Sequence, residues 1–213
     1  MKSNFYTIVY AAVLALVCAT ALTAVNELTK DAYAANLAAK KARNIMTVLG
    51  IPFDASTPAK EIVKISEDKV KTDKARSELY DTPVYYSDHP EYGRLWAIEF
   101  SGDGMWKPVE GLLCLRADMK TIHRITFYKQ EETPGLGAKI ADPPFQDSFQ
   151  GKTIYDGAGK PGMALTPTGG KGKAHEIDAI TGATITSGKV KDMLNTLIEK
   201  IAKVQAEEVS DVR

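Results

Sequence analysis

The 213-residue sequence lacks the features that mark several protein classes. Lys plus Arg and Asp plus Glu number 27 each, so the formal net charge is zero and no basic face for nucleic acid is indicated. Only two cysteines occur, Cys18 in an apolar run and Cys114 in a predicted strand, which is too few for a disulfide framework. We expect both thiols to be reduced and buried as small apolar groups.

Motifs of common enzymes are also missing. The sequence contains no HExxH, GxSxG or Walker loop, so hydrolysis of peptides, esters or nucleotides has no motif support. The glycine- and lysine-rich run at 169–173 lacks the GxxxxGK[ST] frame, and we expect a loop there, in which Lys171 and Lys173 would lie near a phosphate. His89, His123 and His175 lack metal-ligand spacing, so we predict surface or hydrogen-bonded histidines and no metal site.

Residues 5–25 form a long run without charged side chains. A helix of this length, at about 1.5 Å per residue, matches the hydrocarbon core of a bilayer. We predict a membrane anchor at 1–26 and a separate domain at 27–213. A cleaved signal peptide is the alternative, because Ala32-Tyr33-Ala34 has the form of a cleavage site. A lipoprotein signal is excluded, since Val17 precedes Cys18 where a small residue is needed.

Hydrophobic periodicity predicts an α+β fold, an antiparallel sheet flanked by helices. We predict helices at 27–49, 58–70 and 185–205, with Thr57 as N-cap of the second. Predicted strands are 83–86, 94–100, 109–116, 121–129 and 163–165, with a turn at 101–104 and a loop with a short helix at 133–147.

Two segments carry the chemistry. Residues 178–187 place four hydroxyl side chains directly before the last predicted helix, where free backbone N–H groups and the helix dipole favour a phosphate. A well-capped helix without a ligand is the competing interpretation. In 131–137, Gly135 and Gly137 flank Leu136 and allow close approach of the backbone to a flat ring, although a surface turn has the same composition.

Both segments resemble motifs of one flavoprotein family. Residues 178–186 resemble the D-x-x-S/T-G-A-T/S-x-T motif read by flavin transferases, and 132–137, E-T-P-G-L-G, match its companion motif. Their order fits the family, as does Gly104-x-Trp106. The family comprises NqrC of the sodium-pumping NADH:quinone oxidoreductase (Nqr) and RnfG of the related ferredoxin:NAD oxidoreductase (Rnf), each the FMN-binding component of its complex. The resemblance covers roughly residues 80–200 and the anchor.

The resemblance implies an FMN-binding domain with FMN esterified through its phosphate to Thr186. A flavin transferase would take FMN from FAD, with Mg²⁺, and release AMP. Asp178 corresponds to the motif position that the transferase requires. The residues expected at the phosphate are Thr181, Gly182, Ala183 and Thr184. The residues expected at the flavin or its ribityl chain are Thr133, Gly135, Leu136 and Gly137, with Trp106 as a wall beside the ring. The segment 129–131 lacks a histidine that members often have, and Thr181 replaces the commoner serine.

The function implied is that of an electron-transfer subunit, passing electrons one at a time between neighbouring subunits of an ion-translocating oxidoreductase. The location implied is the bacterial inner membrane, single-pass, with the flavin domain on the periplasmic side. Lys2 agrees with that orientation, whereas Lys30, Lys40 and Lys41 oppose it. The alternatives are a stand-alone membrane-anchored flavin reductase and a non-redox assembly or binding module of the same fold.

Overall fold

A computed structural model describes residues 2–167 and 173–210. The helices are α1 (Lys2–Val48), α2 (Ala59–Lys69), α3 (Lys74–Tyr80), α4 (Pro143–Asp147) and α5 (Thr184–Ser210), with a 3-10 helix at Gly137–Ala141. The strands are β1 (Lys71–Thr72), β2 (Val84–His89), β3 (Gly93–Asp103), β4 (Pro108–Leu115), β5 (Ile122–Lys129), β6 (Ala164–Thr166) and β7 (Glu176–Asp178).

The first helix, α1, is continuous over 47 residues. Its large apolar side chains from Phe5 to Leu37 are exposed, whereas Ala39, Met46 and Leu49 around its end are fully buried. Within the described residues it is the one helix long and apolar enough to cross a membrane. The apolar run and the domain are therefore joined by one unbroken helix. At residue 26, the predicted boundary between anchor and domain, the side chains become more polar but the helix continues.

Strands β1 to β5 form one antiparallel sheet in chain order, which confirms the predicted α+β class. On one face, the end of α1 packs Ile45, Val48 and Leu49 against alternate residues of β3 and β4. On the other face lies α5, whose apolar stripe fills the larger core. Gly102 in β3 permits this contact, since a Cβ there would meet the Cβ of Met193 at 2.7 Å. Strands β6 and β7 form a separate parallel pair.

Several local predictions were wrong. Pro58, not Thr57, is the N-cap of α2, because the Pro58 carbonyl accepts the first helical hydrogen bonds, from Glu61 and Ile62. Residues 101–103 belong to β3 instead of a turn. Helix α3 was not predicted, although Asp73 caps it by accepting from the backbone N–H of Arg76 at 3.0 Å. At seven residues, it is too short to show helical periodicity in the sequence.

The environments of Cys18 and His123 also differ from those predicted. Both cysteines are free, and Cys114 is buried, which raises the pKa of its thiol, but Cys18 is exposed on α1. His123 contradicts the expected surface or hydrogen-bonded histidine, because it is 3% exposed and neither ring nitrogen hydrogen-bonds to a described residue. Burial and the positive charge of Arg124 lower the pKa of His123 to about 4. His89 and Arg116 act in the same direction, and Glu91 opposes them.

The low pKa of His123 predicts a loss of stability on acidification. The unfolded chain binds a proton at this histidine near pH 6.5 and the folded chain only near pH 4, so the free energy of unfolding decreases as the pH falls between these values. At pH 5, His123 alone accounts for about 2 kcal/mol of the loss relative to pH 7. Denaturant unfolding of the full chain in detergent should show this excess loss relative to His123→Gln. Equal losses in both proteins would contradict the assignment.

Candidate functional site

The two segments singled out in the sequence meet around one cavity at the start of α5. The cavity has a volume of about 330 Å³. Its lining residues are Met105, Thr133, Leu136, Gly137, Gly182, Ala183, Thr184, Ile185 and Thr186. They come from the β3–β4 turn, the segment after β5 and the start of α5, so the sheet and the last helix together position the site.

The start of α5 presents backbone donors to this cavity. The helical ladder begins where the Ser187 N–H donates to the Ala183 carbonyl at 2.9 Å. The N–H groups of Thr184, Ile185 and Thr186 precede that bond and have no acceptor within the helix, and the helix dipole adds partial positive charge. The Ser187 hydroxyl accepts from the Ile180 N–H at 3.1 Å and fixes the preceding loop. This end of a 27-residue helix is suited to bind a phosphate.

Thr186 and Glu132 form a buried pair at the inner end of the cavity. The Thr186 hydroxyl donates to Oε2 of Glu132 at 2.6 Å, and the two residues are 2% and 5% exposed. The other carboxylate oxygen, Oε1, accepts from the backbone N–H of Met105 at 2.8 Å and of Trp106 at 3.3 Å. Charge-assisted bonds of this kind are stronger than neutral ones. Glu132 therefore links the β3–β4 turn to the start of α5.

Two glycines make room for this pair. A Cβ on Gly137 would lie 2.6 Å from Oγ1 of Thr186 and 2.8 Å from Oε2 of Glu132. A Cβ on Gly104 would lie 2.6 Å from Oε1 of the same carboxylate. Gly182, with φ of +79°, adopts a left-handed conformation at which other side chains are strained. These motif glycines are explained by close approach at Gly104 and Gly137 and by backbone conformation at Gly182.

Exposed apolar side chains surround the mouth of the cavity. Outside α1, five large hydrophobic residues of the described chain are exposed, and four of them lie here: Met105, Trp106, Leu136 and Ile185. Trp106 is 65% exposed and its indole N–H donates to the Thr133 hydroxyl at 3.2 Å. Exposed apolar patches of this kind mark binding sites. The rim is suited to contact a flat aromatic ring whose phosphate lies at the helix.

The structure brings most of the predicted site residues together. Thr133, Leu136, Gly137, Gly182, Ala183, Thr184 and Thr186 line the cavity. Trp106 and Gly135 are adjacent to lining residues without lining it themselves, and Asp178 and Thr181 are exposed in β7 and in the turn before α5. Lys171 lies outside the described residues. Lys173 forms an ion pair with Glu176 and does not line the cavity.

Three contributors were not predicted from the sequence: Glu132, Met105 and Ile185. Glu132 is the first residue of E-T-P-G-L-G, and an acid in a glycine-rich apolar segment is a detectable signal. The pattern does not distinguish it from Glu131, which forms an exposed ion pair with Lys107. Met105 and Ile185 are ordinary apolar residues in the sequence, and only the fold places them at the rim of the cavity.

These residues fit FMN. Backbone donors at the start of α5 match a phosphate, and the apolar rim matches an isoalloxazine ring. In the described residues no group of three or more His, Cys, Asp or Glu side chains is arranged to hold a metal ion.

Comparison with known proteins agrees with this geometry. Residues 104–199 match the model of the FMN-binding domain family, which confirms the resemblance seen in the two motifs. Relatives include NqrC of the Na⁺-translocating NADH-quinone reductase of Neisseria meningitidis serogroup B, 34% identical over 134 residues, and that of Pasteurella multocida, 31% identical over 144 residues.

The extent of these similarities differs between sequence and structure. The two alignments cover 63% and 66% of this chain but 52% and 55% of the relatives, so the chain spans about half the length of the curated relatives it matches. The crystal structure of NqrC from Parabacteroides distasonis has a TM-score of 0.65 and 23% identity, covering 81% of this chain and 96% of that one. This structural similarity shows a common fold.

The contact at Gly137 predicts that Gly137→Ala is destabilising. Because its Cβ would overlap Oγ1 of Thr186 and the Glu132 carboxylate, we expect the free energy of unfolding to fall by about 1–3 kcal/mol. The control is Gly188→Ala in α5, where a Cβ meets nothing within 4 Å and should stabilise the helix by about 0.5–1 kcal/mol. Denaturant unfolding compares the two variants, and a neutral Gly137→Ala would contradict the packing described.

Proposed function

We propose that this protein is a covalent FMN electron carrier, with the flavin phosphate esterified to Oγ1 of Thr186. The observation that supports this most directly is the position of that hydroxyl, at the wall of a cavity where α5 begins, inside the FMN-binding domain. A phosphate joined to Oγ1 would lie beside the free N–H groups of the first helical turn. The ester would prevent dissociation of a cofactor that sits at an open surface.

The chain's own residues supply binding and orientation. Gly182, Ala183 and Thr184 would hold the phosphate together with the helix N–H groups. Thr133, Leu136 and Gly137 would contact the ribityl chain or the ring, and Trp106 would form a wall through its hydrogen bond with Thr133. FMN, when bound, accepts and donates electrons, and its exposed position favours exchange with another protein over turnover of a small substrate. Asp178 and Thr181, at the surface, would be read by the flavin transferase.

We further propose that the carrier works within a membrane ion-translocating oxidoreductase of the Nqr or Rnf type. The names of the relatives favour an NqrC-type component, whose partners would be the other membrane subunits of the complex. The apolar part of α1 would remain in the bacterial inner membrane as a single-pass anchor, with the flavin domain on the periplasmic side. Its continuity into the domain supports retention, because cleavage after Ala34 would cut α1 within a helix.

The covalent link predicts a fluorescent, heavier protein. The full chain, produced with a flavin transferase, should run as a fluorescent band on a denaturing gel under ultraviolet light. Its intact mass should increase by the mass of FMN minus one water. The same mass measurement shows whether residues 1–34 are retained. Thr186→Ala should lose both signals completely. Thr196→Ala, at an exposed position of the same helix, is the matched control and should keep them.

A dark, unmodified wild-type band from cells that contain an active transferase would contradict the proposal and favour a non-redox binding module. If the band is fluorescent, purification in mild detergent should bring other membrane subunits with it. A fluorescent protein that purifies alone would favour the stand-alone flavin reductase.

A further inference from the structure

The bond between Thr186 and Glu132 has a chemical use as well as a structural one. An ionised carboxylate only accepts hydrogen bonds, so the hydroxyl hydrogen of Thr186 is directed at Oε2 of Glu132 across 2.6 Å. Both groups are buried, and the two backbone N–H groups on Oε1 hold the carboxylate in this orientation. This is the arrangement of a nucleophile and its base, in which the two side chains are within hydrogen-bond reach.

We propose that Glu132 is the general base of FMN attachment, a step that rests on the function proposed above. A threonine hydroxyl is a weak nucleophile at neutral pH and needs an adjacent base. Oγ1 of Thr186 forms a bond to the phosphorus of the FMN half of FAD, and the phosphoanhydride bond to AMP breaks with its electron pair on AMP. The hydroxyl proton moves to Oε2 of Glu132. No atom is oxidised or reduced, and the transferase contributes FAD and Mg²⁺.

The packing around Thr186 favours Glu132 over a residue of the transferase as the base. Gly137 lies directly against Oγ1 of Thr186 and Oε2 of Glu132, and Gly104 lies against Oε1, so the carboxylate fills the space beside the hydroxyl. A base from another protein would have to displace Glu132 to reach the same hydrogen. The charged neighbours, Lys107 and Glu131, form an exposed ion pair with each other.

Proton transfer to Glu132 also suits the product. A phosphodiester carries a negative charge, and an ionised carboxylate at 2.6 Å from the ester oxygen would repel it. Once Glu132 has taken the proton, it is a neutral acid that donates to the same oxygen atom from which the proton came. The hydrogen bond between the two residues is thereby kept with its direction reversed, and the link between the β3–β4 turn and α5 persists.

The test is the rate of flavin attachment to Glu132→Gln. The full-length apoprotein in detergent is mixed with purified transferase, FAD and Mg²⁺, and the increase in intact mass is followed with time. Glutamine has the same size and still accepts from the backbone N–H groups, but it does not take the proton. We expect the initial rate to be lower than that of the wild type by at least about 100-fold, as for the loss of a general base. Glu131→Gln, which removes the neighbouring exposed carboxylate, should react at the wild-type rate.

The pH dependence separates a base from a structural contact. Above neutral pH the wild-type rate should be independent of hydroxide, because the carboxylate takes the proton, whereas the slow rate of Glu132→Gln should rise with pH as hydroxide replaces the carboxylate. Because the transferase titrates as well, the comparison is the ratio of the two rates at each pH. A ratio that does not change with pH, or a Glu132→Gln rate equal to wild type, would overturn the proposal.

Two further outcomes are decisive. If wild-type protein takes up no FMN, both the proposed function and the proposed role of Glu132 are wrong. If wild-type protein takes up FMN and Glu132→Gln does so at the same rate, the proposed function stands and only the assignment of Glu132 as the base is wrong. If Glu132→Gln does not fold, Glu132→Asp takes its place, because it keeps a carboxylate at a longer distance from Oγ1. A slower Glu132→Asp whose rate relative to wild type stays constant with pH supports the base, and a relative rate that rises with pH contradicts it.

Discussion

The hydrogen bond between Thr186 and Glu132 is the contact on which the candidate site depends. It joins residues 54 positions apart in the chain, at the start of α5 and in the segment after β5. Through its other oxygen, the Glu132 carboxylate also holds the turn between β3 and β4. Removing either partner would leave a buried polar group without its bond, which costs about 1–3 kcal/mol and more if the group is charged. The three parts of the cavity therefore share one polar link.

The fold supports this link from both sides of the sheet. Helix α5 lies across one face through a continuous apolar stripe, and Gly102 lets it approach β3 closely, so the start of α5 is fixed relative to the β3–β4 turn. The end of α1 covers the other face. Since α1 continues as the apolar N-terminal helix, the sheet is held directly by the element proposed to enter the membrane. A direct connection of this kind suits the proposed electron carrier, which would meet its partner subunits at a fixed height above the membrane.

Much of this organisation could be predicted from the sequence because it depends on strong local patterns. The alternation of Leu95, Ala97 and Glu99 with Trp96, Ile98 and Phe100 predicted β3, and the stripe from Val190 to Ile201 predicted α5. Two features that the sequence analysis missed depend on tertiary contacts. His123 is buried because the end of α1 and the chain before β3 close over it, a packing that no local pattern shows. Glu132 could not be separated from Glu131 before the fold placed one inside and the other at the surface.

For the ligand, too, the sequence motifs supplied one part of the account and the tertiary structure the other. The motifs identified an FMN-binding domain, and the cavity explains their glycines and hydroxyls in terms of space and hydrogen bonds. The proposed attachment at Thr186, and not at a neighbouring hydroxyl, has a physical basis, since it is the hydroxyl that the structure pairs with a buried carboxylate. Thr181 and Thr184 are exposed, and the Ser187 hydroxyl accepts from a backbone N–H.

The most direct measurement is tandem mass spectrometry of the tryptic peptide 174–189 from native protein, which contains four hydroxyl residues. The account predicts that the flavin phosphate lies on fragments that include Thr186 and is absent from fragments that end at Thr184 or begin at Ser187. A flavin on any other hydroxyl of the peptide, or an unmodified peptide from cells with an active transferase, would contradict it.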